Sequence, residues 1–306
     1  DTKYLGIHGM LNQAIQDGDK DVALELAEQA NDLRPKTDKV SKALFELQVQ
    51  NGDWEEAEET IRKAVRDKHL NIDVGRRRRA AILYQRSAEA EENGMLNEAL
   101  ALAKKANNLT SGFVPAAVRT ARLLQGAGKR RKAVSIIEEI WVTNPHPLLI
   151  DVIGELSSGV GAQEKMRTVE KLASYNKDHV ESHLAIAKFA LIAEMWQEAR
   201  EHLIAASSGL HDESLPARIC RYMAELEEGE NRDLEASREW LKKAAVAEPD
   251  SVWNCSHCGQ VVADWDPLCK HCQTFDSLEW RTPPRVTRMG QVEKEITSSN
   301  LNVDEK

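Results

Sequence analysis

The residues best placed to do chemistry are Cys255, Cys258, Cys269 and Cys272. They form two CxxC pairs, Cys255-Ser256-His257-Cys258 and Cys269-Lys270-His271-Cys272, separated by ten residues. Four soft thiolates at this spacing suit a tetrahedral Zn²⁺ ion. A closed set of four protein ligands has no open position for a substrate, so the ion is expected to be structural. Gly259 supplies the positive φ that a tight turn after the second cysteine favours. Gln273 stands at the matching place in the second pair, which predicts a less regular turn there. A module of about thirty residues buries too little core to fold alone, so metal binding would supply its folding energy. Iron in a rubredoxin-like redox site is the competing reading of the same ligands. A redox CxxC of the thioredoxin type lacks its βαβ context. His257 and His271, inside the two pairs, read as partly exposed loop residues. Trp253, Trp265 and Trp280 are expected to pack around the module or wedge it against the last helices. The fifth cysteine, Cys220, reads as a small buried hydrophobe.

Two other features invite a chemical reading. Arg76-Arg77-Arg78-Arg79 could meet an acidic partner or an anionic membrane surface, but the expectation is a solvated end of a helix running from Ala80 to Glu92. His146, in Asn144-Pro145-His146-Pro147, could in principle ligate haem iron, although a turn histidine is the simpler expectation. No phosphate-binding glycine loop, GxSxG or HExxH motif occurs, so no enzymatic activity is expected.

The elements that carry these residues repeat. Ala23 to Ala57 and Ala99 to Ala133 are each 34 residues apart, and each alanine follows a glycine turn and opens a second helix. Helix, turn, helix with a period of 34 is the tetratricopeptide signature. The longer step from Ala57 to Ala99 implies an eight-residue insertion around Asn71 to Arg78. Ala23, Ala27 and Ala30 before Pro35 match Ala133, Ile137 and Ile140 before Pro145, with small residues where helices approach closely. Later copies are degenerate: Trp196 to Ala199 restates Trp54 to Ala57, and Ser237, Leu241, Ala244 and Pro249 close a seventh unit. The expected fold is therefore all-α. A tetratricopeptide superhelix of about seven helix pairs fills residues 1–250, the Cys₄ zinc-ribbon or rubredoxin-like knuckle 251–281, and a disordered tail 282–306.

Composition fits this picture. The 306 residues are rich in good helix formers, and the net charge of −9 argues against nucleic acid as a partner. No run of apolar residues is long enough to span a bilayer. The chain starts at Asp1 without an initiator methionine, so an upstream segment is expected to be missing.

The sequence resembles the HemY-type proteins of proteobacteria, particularly the alphaproteobacterial branch. The resemblance is carried by Phe113-Val114-Pro115-Ala116-Ala117, Ala121-Arg122-Leu123-Leu124 and Trp141 with Asn144-Pro145-His146-Pro147. It continues through Ala224 to Glu228, Ser237-Arg238-Glu239-Trp240-Leu241, the cysteine pairs and Phe275 to Arg281. It implies a non-catalytic scaffold linked to haem biosynthesis, which gathers late-pathway enzymes or haem itself. It also implies two missing N-terminal membrane helices that hold the chain on the cytoplasmic face of a bacterial inner membrane. The LapB-type adaptors of lipopolysaccharide synthesis, which also join such repeats to a rubredoxin-like knuckle, are the second resemblance. In tetratricopeptide folds the first helix of each unit lines the concave groove. By that analogy Lys42, Tyr84, Arg119, Arg122 and Lys188 are candidate partner-binding residues.

Overall fold

The computed structural model describes residues 2–34, 38–210 and 215–283. Pro35 and the expected tail beyond Pro283 lie outside them. Among the described residues fourteen helices follow one another: α1 (Thr2–Asp17), α2 (Lys20–Leu33), α3 (Asp38–Asn51), α4 (Trp54–Arg66), α5 (Ile72–Glu92), α6 (Leu96–Leu109) and α7 (Val114–Gly126). The series continues with α8 (Arg130–Thr143), α9 (Pro147–Leu156), α10 (Ala162–Ser174), α11 (Val180–Ile192), α12 (Trp196–Ser207), α13 (Ala217–Asn231) and α14 (Leu234–Val246). They pack as consecutive pairs, and the odd-numbered inner helices also touch one another from α5 to α13.

The small residues sit where the repeat predicts. Ala23, Ala27, Ala30, Ala57, Ala99, Ala103, Ala133, Ala199 and Ala206 are all buried, so second helices press closely on their neighbours. Intra-pair turns hold a residue in the left-handed region. Gly18, Gly52, Gly94, Gly128 and Gly159 do so without strain, whereas Glu194 and Arg232 take that place in the last two pairs. The missing glycines are why those copies look degenerate in sequence. In α10 the small position is taken by Met166, ahead of buried Val169 and Ala173. In α14 only Ser237 is buried, and Leu241 is exposed, since no later helix among the described residues packs on it.

One expected boundary differs. The insertion before Ala80 is not a loop: it adds about two turns to the start of α5, which begins at Ile72 and is capped by Asn71 Oδ1 accepting from the Asp73 amide. Arg76 to Arg79 therefore lie inside a helix, and all but Arg76 are at least half-buried.

After α14 the chain crosses the start of α13, where Asp250 Oδ1 accepts from the Arg218 amide and Asp250 also pairs with Arg221. Three short strands follow: β1 (Val252–Cys255), β2 (Val261–Val262) and β3 (Leu278–Arg281). They form an antiparallel sheet in the order β2-β1-β3, with Trp253 opposite both Val262 and Trp280.

Candidate metal centre and its seat on the array

The two cysteine turns are built alike. Gly259 N–H donates to Cys255 O at 2.9 Å, and Gln273 N–H donates to Cys269 O at 2.8 Å. Gln273 reaches φ 57°, close to the 75° of Gly259, so the second turn is as regular as the first and the irregularity expected there does not occur. What differs is backbone strain, which a side chain at positive φ carries and glycine does not.

These turns bring the four sulphurs within 4.8 Å of one another. Cys255 Sγ lies 3.6 Å from Cys272 Sγ, and Cys258 Sγ lies 3.7 Å from Cys269 Sγ. A tetrahedral ion with metal–sulphur bonds of about 2.3 Å needs sulphurs about 3.8 Å apart. The donor set therefore fits a metal ion of that kind. Ser277 Oγ and Thr274 Oγ1 each lie 3.2 Å from a ligand sulphur, on Cys255 and Cys272 respectively; Ser277 Oγ donates to Thr274 O at 2.9 Å, and the Thr274 hydroxyl is placed to donate to a Cys272 thiolate. His257 and His271 are exposed, outside the four-sulphur set.

The module does not cap the last helices. It folds back onto the inner helices of the second to fifth pairs and shares their core: Trp253, Trp265, Cys255, Cys269 and Leu278 belong to the same buried cluster as Leu83, Phe113 and Leu123. Trp265 meets Tyr84 and Phe113 edge-on, each at 5.0 Å between ring centres. Phe275 meets Phe45 edge-on at 5.2 Å. His146 lies against Trp253 and Trp280, at 5.9 and 4.5 Å. Edge-on and offset arrangements of this kind add to the burial of each ring.

An ion pair fixes the seat. Arg77 donates from Nε and Nη2 to both oxygens of Asp276 at 2.8–3.0 Å, while its guanidinium lies 4.0 Å above Phe113. A two-pronged arginine–carboxylate contact specifies orientation as well as attraction. Arg77 is thus a clamp for the module, while Arg76 keeps the exposed setting expected of the run. Arg79 pairs with buried Glu58, and Arg78 lies over Phe45. The sequence offered no local sign of the Arg77–Asp276 pair, since its members are 199 residues apart.

His146 is also not a free turn residue. It is buried, and its Nδ1 accepts from the Leu148 amide as the cap of α9. Burial, and then the positive charge of Arg218, push it down to about 4, so it is neutral at neutral pH. Its Nε2 is covered by the joint, so a haem iron could reach it only by opening the joint.

The five candidate groove residues all lie on inner helices, in different settings. Tyr84 is under Trp265, and its burial pushes the phenol up. Arg119 pairs with Glu91, Arg122 with Glu155, and Lys188 with Asp151. Together with Arg218–Glu181, these pairs link each inner helix to the next from α5 to α13. Lys42 pairs within α3 with Glu46. Beyond the module, Asp151, Lys188, Arg218 and Tyr222 line a cavity of about 210 Å³ on the part of the concave face that stays uncovered.

Comparison with known proteins agrees on the repeat. The chain matches the tetratricopeptide repeat family over residues 14–76. It is 29% identical over 237 residues to the probable magnetosome protein Mms48 of Magnetospirillum gryphiswaldense, covering 77% of this chain and 52% of that protein. The chain thus spans about half the length of the curated relative it matches. Among solved structures, a tetratricopeptide repeat protein from Parabacteroides merdae is 15% identical, with a TM-score of 0.36 over 80% of this chain and all of that one. A MamA structure is 13% identical, with a TM-score of 0.33 over 54% of this chain and 89% of that one. At such scores neither superposition carries a functional argument. The described helix pairs, with the family match over residues 14–76, give a tetratricopeptide-type repeat fold that seats a four-cysteine module on its inner helices.

Proposed function

We propose that this protein is a non-catalytic scaffold whose cysteine module holds a structural Zn²⁺ ion and, through it, fixes the shape of the array. The observation that carries this reading is the shared core: the residues flanking the thiols are the same residues that seal the inner helices. In this role Cys255, Cys258, Cys269 and Cys272 hold the ion, whose chemistry is to supply folding energy to the module. Protein partners use the uncovered concave face around Lys188 and Arg218; the groove analogy adds Lys42, and Tyr84, Arg119 and Arg122 at the edge of the module.

The partners proposed from the HemY resemblance are haem-pathway enzymes at the cytoplasmic face of the inner membrane. Support comes from the sequence stretches quoted above, several of which build the joint: Phe113, His146, Asp276 and Trp280. The name of the relative from Magnetospirillum favours a second reading, in which the scaffold serves a magnetosome. Elemental analysis of protein made without added metal is expected to give one zinc per chain and no visible absorbance; stoichiometric iron would overturn the structural-zinc assignment. Affinity capture from membranes is expected to enrich late haem-pathway enzymes over an unrelated repeat protein. Enrichment of magnetosome components instead would favour the second reading.

A further inference from the structure

The side of α5 that faces away from the module carries a second constellation. Arg79, Leu83 and Arg86 form one helical stripe, roughly half a turn from the Arg77 and Tyr84 stripe that meets the module. Between this stripe, α4 and α6 lies a cavity of about 550 Å³. Four cations line it, Arg62, Arg79, Arg86 and Lys105, against two carboxylates, Glu58 and Glu98. Arg86 also pairs with Glu55 outside the lining, which leaves a local excess of one positive charge on a chain whose formal net charge is −9.

The cations are held in place. Glu58 is 5% exposed and takes hydrogen bonds from Arg62 at 2.6 Å, from Arg79 at 3.0 and 3.2 Å, and from Arg86 at 3.3 Å. Each guanidinium has five donors, so one buried carboxylate orients three arginines without using up their hydrogen-bonding capacity. Buried Leu83 and Leu102 give the cavity an apolar floor.

We propose that this cavity is a docking site for an acidic segment of a protein partner, in which carboxylates meet the arginines and an apolar side chain enters between them. This rests on the scaffold reading and adds a convex-side partner of stated chemistry. Charge complementarity supports a peptide over an anionic membrane, because a bilayer meets the repulsion of the whole chain whereas a peptide meets the local patch. The concave depth also suits one inserted side chain more than a flat surface.

The test uses the full chain and fluorescein-labelled peptides with a leucine flanked by glutamates, read by anisotropy. Binding is expected to weaken roughly tenfold in Arg62→Glu/Lys105→Glu. It should stay unchanged in Lys104→Glu, which alters the same helix outside the cavity. Circular dichroism checks folding; if the double variant loses helicity, the exposed Lys105→Glu substitution alone carries the comparison. Absence of saturable binding, equal binding by all variants, or an equal loss in Lys104→Glu would overturn the site. So would binding to phosphatidylserine vesicles that depends on Lys105 while the peptides do not bind. The elemental analysis and membrane captures described above do not use these peptides, so failure here and failure of the scaffold reading are distinguishable.

Discussion

Gln273 and His146 show how single side chains were placed by contacts that spacing does not reveal. The four cysteines were legible from their own spacing, because a CxxC turn is a local object. Gln273 was not, since its turn is held in register by hydrogen bonds that any residue can make, at the expense of positive φ. Gln273→Gly is therefore expected to stabilise the metal-loaded protein by up to about 1 kcal/mol, strain relief being partly offset by unfolded-state entropy. A thermal unfolding series against the parent checks it. His146 makes a pH prediction. Its folded pKa of about 4 lies below the unfolded value, so the unfolded chain binds more protons between pH 4 and about 6.5. The stability that a neutral His146 allows is complete above that window and falls as pH drops through it, by about 3 kcal/mol at the lower edge. His146→Phe keeps a ring against Trp253 and Trp280 and is expected to flatten this slope. Denaturant melts of both proteins from pH 7 to 4 would reveal an unchanged slope if the account is wrong.

Among the elements, α5 departs most from its expectation. The 34-residue step located the second helices well, because small residues at close helix contacts recur with the period. It could not say whether an insertion forms a loop or more helix. The tie is broken by tertiary contacts: Gly75 packs so closely on α4 that an added Cβ would lie 2.3 Å from Val65 Cγ2. Gly75→Ala is expected to cost about 1–3 kcal/mol through overpacking, even though alanine is the better helix former. The Arg77–Asp276 pair is half-sheltered, with side chains 32% and 13% exposed. Arg77→Ala is expected to cost about 2–3 kcal/mol and Asp276→Ala a similar amount, with the double variant well short of the sum. A double-mutant cycle that came out additive would show that the two residues do not act together.

At the scale of the whole molecule, the module belongs to the middle of the array and not to its end. Chain order suggested a seat against the last helices, since the cysteines follow the last repeat by only a few residues. The fold-back depends on long-range packing of Trp253, Trp265, Phe275 and Trp280 on Phe45, Tyr84, Phe113 and His146, which no local pattern encodes. The resemblance stretches hinted at it, since Phe113, His146 and Trp280 belong to that joint, but a resemblance gives residues without their contacts. The consequence is a division of the concave face into a sealed part under the module and an uncovered part around Lys188 and Arg218. If the module takes its folding energy from a bound ion, as proposed, metal and groove geometry are coupled. The most direct test is hydrogen exchange by mass spectrometry on the metal-loaded protein and on Cys255→Ser/Cys258→Ser. The account predicts that peptides from α5, α7 and the start of α9 lose protection in the variant while those from α11 and α12 keep it. Unchanged protection around Tyr84, Phe113 and His146 would contradict it.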